Sequence, residues 1–357
     1  MKHIAIIHAG AIGDLVLALP ALKAVRAAWP EARIALLGRP ERAALARLAG
    51  VADAVADLET SGLWRLMSER PAPGPLPAPV APADLVIDFL SQGALEANLL
   101  GPHVVTVRPI PPKGWAGGAS AWYLGQVRDA LALVVPEAPA APEVPIRREA
   151  IEGARRDLAS RGIAGRFAAI HPGSGSPRKN WPLERFAEVA ARLRGQSAPE
   201  TTPSPLMGEG RGEGERARNP RLHPPRPPLS HKGRAEKRLP PAVLWIVGPA
   251  ELERGRHPAA PPGDAVLVEP PLETLAAVLA TAHLYIGNDS GITHLAAAVR
   301  GPGGRPTPTV AIFGPTDPAV WAPRGPHVRI VRAPGGKIGG VSTARVWRAV
   351  RRTVTDA

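Results

Sequence analysis

The stretch LYIGNDSGITHLAAA, Leu284–Ala298, changes character at its centre. An apolar run, Leu284-Tyr285-Ile286, stops at Gly287, and a helix-forming run of Leu and Ala begins at Leu295. Between them stand Asn288, Asp289 and Ser290, residue types that accept the free N–H groups of a helix's first turn. The expected structure is a buried strand that ends where a helix starts. That first turn would offer unpaired N–H groups and the positive end of its dipole to whatever lies above the sheet. Gly291, Thr293 and His294 fall in the turn and Asp289 at its mouth. Such a set can hold a phosphate and keep an acid beside it for a sugar hydroxyl. An ordinary capped helix with a surface histidine would use the same residues.

The same order of strand, turn and helix recurs along the chain. Ile4–Ile7 reads as a strand and Gly10–Gly13 as a turn, with Asp14–Ala28 as an amphipathic helix closed by Pro30. Arg33–Leu37 and Asp84–Asp88 read as strands, with a helix over Glu41–Leu48. Further on, strands are expected over Phe167–Ile170, Val243–Val247 and Thr309–Phe313. Helices are expected over Pro182–Arg194, Thr274–Ala280 and Ser342–Val354. Alternation at this spacing predicts an α/β chain with doubly wound parallel sheets covered on both faces. At 357 residues it divides into two such domains, 1–140 and 146–335, followed by a C-terminal helical segment, 336–357. Pro136–Pro145 reads as the linker and Pro71–Pro82 as a loop. Between Ser197 and Pro240 the pattern gives way to Pro, Gly, Arg and Glu with few apolar residues. This insertion, 197–240, is expected to be disordered and low in complexity, because it cannot bury enough surface to offset its chain entropy. It falls in a helix-to-strand loop, where closure entropy grows only logarithmically with length.

Composition narrows the function classes. There is no cysteine, so disulfides and thiolate metal sites are excluded. No apolar run approaches the roughly 18 residues of a membrane span, and the N-terminal run is too short for a signal peptide. A cytoplasmic protein is the expected reading. The net charge of +13 favours anionic partners, either phosphorylated substrates or an anionic membrane surface touched peripherally. Basic residues are scattered and aromatics make up 4%, so no nucleic-acid groove of interleaved cations and rings is expected.

Three more loops could carry chemistry. Gly10-Ala11-Ile12-Gly13-Asp14 turns tightly after the first strand and sets Asp14 at a helix start, where it would also simply complement the dipole. It lacks one glycine of the dinucleotide fingerprint, and no acid ends the second strand. His171–Pro182 gathers Gly173, Ser174, Gly175, Arg178 and Lys179 into one loop of phosphate-binding composition without Walker spacing. Gly314-Pro315-Thr316-Asp317-Pro318 is a tight turn beside Trp321.

Four segments, in order, resemble glycosyltransferase family 9, the group containing the ADP-heptose:lipopolysaccharide heptosyltransferases. They are GAIGDLVLALPALKAVRAAWPEARIALL (10–37), HPGSGSPRKNWPLERFAEVAARL (171–193), GNDSGITHLAAA (287–298) and IFGPTDPAVWAP (312–323). The resemblance implies a GT-B fold, with two Rossmann-like domains facing a central cleft. The N-terminal domain would bind the acceptor and the C-terminal domain the nucleotide sugar, with the C-terminal helix crossing back to the first domain. Asp14 matches the family's catalytic base, and Lys179 the cation on the diphosphate. Asp289 matches the acid on the donor sugar, and Ser290, Gly291 and His294 the diphosphate-binding helix start, with Thr293 beside them. Gly173, Ser174, Gly314 and Thr316 become donor-loop contacts, and Gly10 and Gly13 lie on the acceptor side. The implied reaction is inverting and metal-independent, moving a sugar from ADP-heptose, a substrate rather than a cofactor, to a lipopolysaccharide-core or related glycan. Two departures bear on the acceptor. His8 stands where the family often has Lys or Arg, and Asp88–Leu95 lacks the arginine that often follows Asp-Gln-Gly. A UDP- or GDP-sugar donor, an NADP-dependent oxidoreductase and a non-catalytic sugar-nucleotide-binding protein remain as alternatives.

Overall fold

Ile4, Ala5, Ile6 and Ile7 are all buried, as a strand covered on both faces requires. They form the centre of a five-stranded parallel sheet in the computed structural model, which describes residues 1–68, 74–90, 92–195, 239–252 and 264–356. The insertion at 197–240, save its last two residues, lies outside the described residues, as do 71–73 of the expected Pro71–Pro82 loop. The strands are β1 (His3–Ile7), β2 (Arg33–Gly38), β3 (Ala54–Asp57), β4 (Leu85–Asp88) and β5 (His103–Thr106), in the order β3-β2-β1-β4-β5. Helices α1 (Ile12–Ala28), α2 (Pro40–Leu48), α3 (Ala94–Asn98) and α4 (Ala119–Leu131) accompany them.

The second half builds a six-stranded sheet from β7 (Phe167–His171), β8 (Ala242–Val247), β9 (Ala265–Val268), β10 (Leu284–Asn288), β12 (Thr309–Phe313) and β13 (Val328–Arg332). Its order is β13-β12-β10-β7-β8-β9, and every neighbouring pair in both sheets is parallel. The helices here are α5 (Arg148–Ser160), α6 (Leu183–Leu193), α7 (Pro249–Leu252), α8 (Leu272–Thr281), α9 (Gly291–Ala298), α10 (Pro318–Trp321) and α11 (Thr343–Asp356). In each sheet the chain works outward to one edge and then returns to the other side of its first strand. The switch points lie between β1 and β4 and between β7 and β10, where open α/β sheets bind ligands beyond their carboxyl ends. This is the two-domain GT-B architecture.

Two expectations are corrected. Helix α1 is apolar nearly all round rather than amphipathic, with Leu15, Val16, Leu17, Ala18, Leu19, Ala21, Leu22 and Val25 all buried. It is packed against α4 and α9, which leaves little solvent face to keep polar before its last turn. The C-terminal helix does not cross back to the first domain. Val346, Val350 and Val354 of α11 pack into the second half's core with Val310, Ile312 and Phe186. The linker ends in a short strand, Val144–Pro145 (β6), which pairs with Val299–Arg300 (β11). Among the described residues no helix is long and apolar enough to cross a membrane.

Candidate active site

Strand β10 ends on Asn288, which is fully buried and tied at both ends of its amide. Its Nδ2 donates to the Pro172 carbonyl at 2.6 Å, and its Oδ1 accepts the Trp181 N–H at 3.1 Å. One side chain therefore clamps the whole 172–181 loop to the strand end. Asn288→Leu would leave both backbone groups buried without partners, at about 1–3 kcal/mol each. Urea unfolding should show a loss of about 2–5 kcal/mol, and a loss under 1 kcal/mol would mean that the clamp is unimportant.

Ser290 is the N-cap of α9 and accepts the Thr293 N–H at 3.3 Å. Lys179, delivered by a 3-10 turn over Pro177–Lys179, meets the Asp289 carboxylate at 2.8 Å. Asp289 is only 6% exposed, so the ion pair forms largely out of water. The His171–Pro182 loop and the Asn288–Gly291 turn thus come together on the β7–β10 switch point, with a cation, a carboxylate and a helix start in one place.

The remaining loop residues have other tasks. The Ser174 hydroxyl is buried and lies 2.6 Å from Asn180 Oδ1 and 2.8 Å from the Ser176 carbonyl, so it folds the loop on itself. A Cβ on Gly173 would stand 1.6 Å from Glu251 Oε1, which makes this glycine the space a carboxylate occupies. At Gly314 a Cβ would come 3.0 Å from Ile338 Cβ and 3.5 Å from the Arg178 carbonyl, a packing role under the lysine loop. Thr316 is half-buried in the following turn.

Glu251 is the residue that sequence reasoning missed. It follows β8 on a Gly248-Pro249 turn, the same device as Gly314-Pro315 after β12, and that parallel was the available signal. Its Oε2 accepts the Gly248 N–H at 2.7 Å and lies 3.4 Å from His171 Nε2. His171 Nδ1 in turn lies 3.3 Å from Ser290 Oγ, so a buried chain runs from Glu251 through His171 to the α9 cap. Burial pushes the Glu251 carboxyl up, but His171 and the Gly248 N–H outweigh it and hold the group below the usual carboxylate range. Its Oε1 is out of solvent with no hydrogen-bond partner among the described residues.

Asp14 faces this assembly from the first half. It sits in the first turn of α1, with its Oδ2 accepting the Ala11 N–H at 3.0 Å. Burial raises its pKa, opposed by the Ala11 hydrogen bond and by the charges of Lys179 and Arg42, while Asp289 adds to the rise. A Cβ on Gly10 would come within 2.9 Å of His8 Cε1 and 3.1 Å of Asp14 Oδ2, so Gly10 leaves room for both. His8 packs tilted against Phe89, with ring centroids 5.3 Å apart, and Phe89 meets Tyr123 edge-on at 5.8 Å. Burial lowers the His8 pKa to about 4, so it is a neutral ring at pH 7.

Gly13 and Gly291 join the two halves. A Cβ on Gly291 would come 3.0 Å from Ile12 Cβ and 3.1 Å from the Gly13 nitrogen, and one on Gly13 would come 3.1 Å from His294 Cδ2. The first turns of α1 and α9 therefore touch, and both glycines are there for that contact. His294 is buried at this seam, and desolvation lowers its pKa to about 4, so its ring is neutral at pH 7.

Two Rossmann-like sheets with facing switch points, a cation–carboxylate pair at one helix start and a carboxylate at the other define a GT-B protein. Residues 249–339 match the model of glycosyltransferase family 9 (heptosyltransferase), and the resemblance read from the sequence holds. Lipopolysaccharide heptosyltransferase 1 of Escherichia coli O18:K1:H7 (strain RS218 / NMEC) is 30% identical over 92 residues, 26% of this chain and 26% of that protein's length. Among solved structures, the glycosyl transferase family 9 protein from Veillonella parvula DSM 2008 superposes with a TM-score of 0.69 at 19% identity, covering 100% of this chain and 98% of that one. E. coli ADP-heptose lps heptosyltransferase II gives 0.67 at 16% identity, covering 99% of each chain. E. coli heptosyltransferase WaaC with ADP gives 0.62 at 17% identity, covering 99% and 100%.

Proposed function

We propose that this chain is an inverting, metal-independent glycosyltransferase that moves heptose from ADP-heptose to a hydroxyl of a lipopolysaccharide-core or related glycan. The observation that carries the reading is the Lys179–Asp289 pair at the start of α9, with Asp14 facing it from α1. A sugar hydroxyl is a poor nucleophile, and Asp14 takes its proton as it attacks the anomeric carbon from the face opposite the nucleotide. Configuration inverts. Charge growing on the departing diphosphate meets Lys179, the first-turn amides of α9 and the His294 ring, donors already in place. That positive charge does the work that a divalent ion does elsewhere. Asp289 orients the donor sugar. The protein acts at the cytoplasmic side of the membrane, with peripheral contact to anionic lipid.

The test is calorimetry with ADP, UDP, GDP and NADP⁺, each in EDTA and then in Mg²⁺. Selective ADP binding that ignores EDTA is expected. A preference for UDP or GDP would move the donor, and NADP⁺ alone would overturn the transferase reading.

A further inference from the structure

Three of the chain's eight tryptophans gather on one flank of the cleft. The loop after β5, residues 110–116, faces the turn and short helix after β12, and between them lies a cavity of about 410 Å³. Each half supplies one wall. Trp115 lines the cavity from the first half and Trp321 from the second, with Lys113 and Asp317 beside them. The volume falls in the range of about 300–1,000 Å³ that small-molecule sites occupy. Both loops leave the carboxyl ends of their strands, the side on which Asp14 and Lys179 stand. Strand β5 is two strands from β1, and β12 is the neighbour of β10. The cavity is therefore offset from the two helix starts by about 5–10 Å across the sheets.

Both walls are braced. Trp115 Nε1 donates to the Gly118 carbonyl at 2.8 Å, and a Cβ on Gly117 would stand 2.8 Å from Trp115 Cζ2, so the indole lies against its own turn. Trp122 meets it at 64° with ring centroids 5.3 Å apart, and donates its own N–H to the Arg108 carbonyl. Tyr123 holds the base of the loop, its hydroxyl donating to the Pro109 carbonyl at 2.8 Å. Burial, and then the charge of Asp14, raise the Tyr123 pKa, so the loop is anchored within electrostatic reach of Asp14. Opposite, Trp321 is half-buried against Phe313 and Ala322. Asp317 caps α10 by accepting the Ala319 N–H at 3.1 Å. Arg324 donates to the Ala319 carbonyl at 2.5 Å, and a Cβ on Gly118 would stand 2.9 Å from Arg324 Nη2, which joins the two walls at their edge.

The Trp115 N–H is already engaged, so what this residue offers a ligand is ring surface. The face of an aromatic ring is its negative part, and it suits the polarised C–H groups on one side of a sugar ring. The hydroxyls round that ring can then meet Lys113 and Asp317. One cation with one carboxylate leaves the rim without strong net charge, which matches hydroxyls better than phosphate. The ends of β1 and β4 agree, with a neutral His8 and no lysine or arginine over Asp88–Leu95.

We infer that this cavity is a sugar subsite, in which Trp115 and Trp321 take the apolar faces of an uncharged pyranose of the acceptor glycan and Lys113 and Asp317 bind its hydroxyls. That the sugar belongs to the acceptor rests on the transferase reading; that the cavity holds a sugar does not.

The experiment uses the full chain with three neutral trisaccharides, maltotriose, cellotriose and mannotriose, and reads saturation transfer from the protein to the sugar protons by NMR. At least one should show transfer that ADP does not displace. Trp115→Ala with Trp321→Ala should lower it fivefold or more, and Trp115→Phe with Trp321→Phe should keep at least half. ADP affinity by calorimetry should stay within twofold. Ala319→Gln, at an exposed position lining the cavity, should also lower the transfer while both indoles stay in place. It decides the matter if circular dichroism shows that the alanine pair does not fold. In turnover with ADP-heptose and the glycolipid of cells lacking this gene, the same variants should raise the acceptor KM fivefold or more, with kcat within twofold. No transfer to any trisaccharide, transfer that the substitutions leave unchanged, or transfer that ADP abolishes would overturn the subsite. A tenfold loss of ADP affinity would do so too, because the indoles would then hold the nucleobase. Turnover with an unchanged KM would overturn the assignment to the acceptor. Sugar binding without any turnover in the parent would remove the transferase reading and leave the sugar site standing.

Discussion

Asp14→Asn is expected to slow transfer by about 10²–10⁴-fold, the usual contribution of a general base, while ADP affinity stays within twofold. The amide oxygen can still accept the Ala11 N–H, so the turn that begins α1 should keep its shape. What is lost is the proton acceptor. Burial has raised the pKa of this carboxyl, which makes it a stronger base than a solvated aspartate. The active form is the ionised one, so the rate should fall as pH drops through a pKa above the ordinary aspartate value near 3.9. Stability should move the other way. A group whose pKa is raised by folding opposes the fold while ionised, and that opposition fades as pH falls through the folded pKa. The Asn variant should therefore be no less stable than the parent at pH 7 by urea unfolding. A normal rate, or a loss of rate matched by a loss of ADP binding, would remove Asp14 from the role of base.

Lys179→Met should weaken ADP binding by about 10–100-fold, the loss of one charged hydrogen bond of about 1.5–3 kcal/mol. It should also cost stability, because Asp289 would keep a buried charge without its partner. Breaking a fully buried pair costs about 3–5 kcal/mol. The lysine is one-third exposed, and solvent screening brings the expectation down to about 1–2 kcal/mol. A third readout follows from the same charge. Lys179 lowers the Asp14 pKa, so its removal should carry the acid limb of the rate profile to higher pH. Lys179→Met combined with Asp289→Asn should recover the urea midpoint without recovering ADP affinity. ADP binding that survives the single substitution would mean that the diphosphate lies elsewhere.

Much of this arrangement was legible before any coordinates. Strands β1, β4, β7, β8, β10 and β12 are continuous apolar runs because helices cover both of their faces. Edge or near-edge strands β3, β5, β9 and β13 went unread, since residues such as Asp57, His103 and Arg329 break the run where one side meets water. Helix α5 was readable from Ile151, Ala154 and Leu158 at helical spacing, although the Pro-rich stretch before it draws attention to a linker instead. The spacing of Val346, Val350 and Val354 announces an apolar face on α11 but does not say which sheet it covers. At the site, residue type located Asp14, Lys179 and Asp289, whose chemistry is visible in one letter. Gly173, Gly291 and Gly314 read as ligand approaches, whereas in the fold each admits a protein neighbour. Glu251 was hidden because an acid after Gly-Pro-Ala looks like an ordinary helix start.

The contact between Gly13 and Gly291 sets a mechanical condition on the protein. Two helix starts of the same polarity push each other apart, by about the interaction of two half charges, and apolar packing around Ile12 and Ile292 holds them together. Negative charge seated between them turns that repulsion into a shared attraction. Ligand affinity and the strength of this contact are then one linked quantity, reciprocal by thermodynamic necessity. Any substitution that spreads the two glycines apart should loosen the ligand by the same factor by which the ligand draws the halves together.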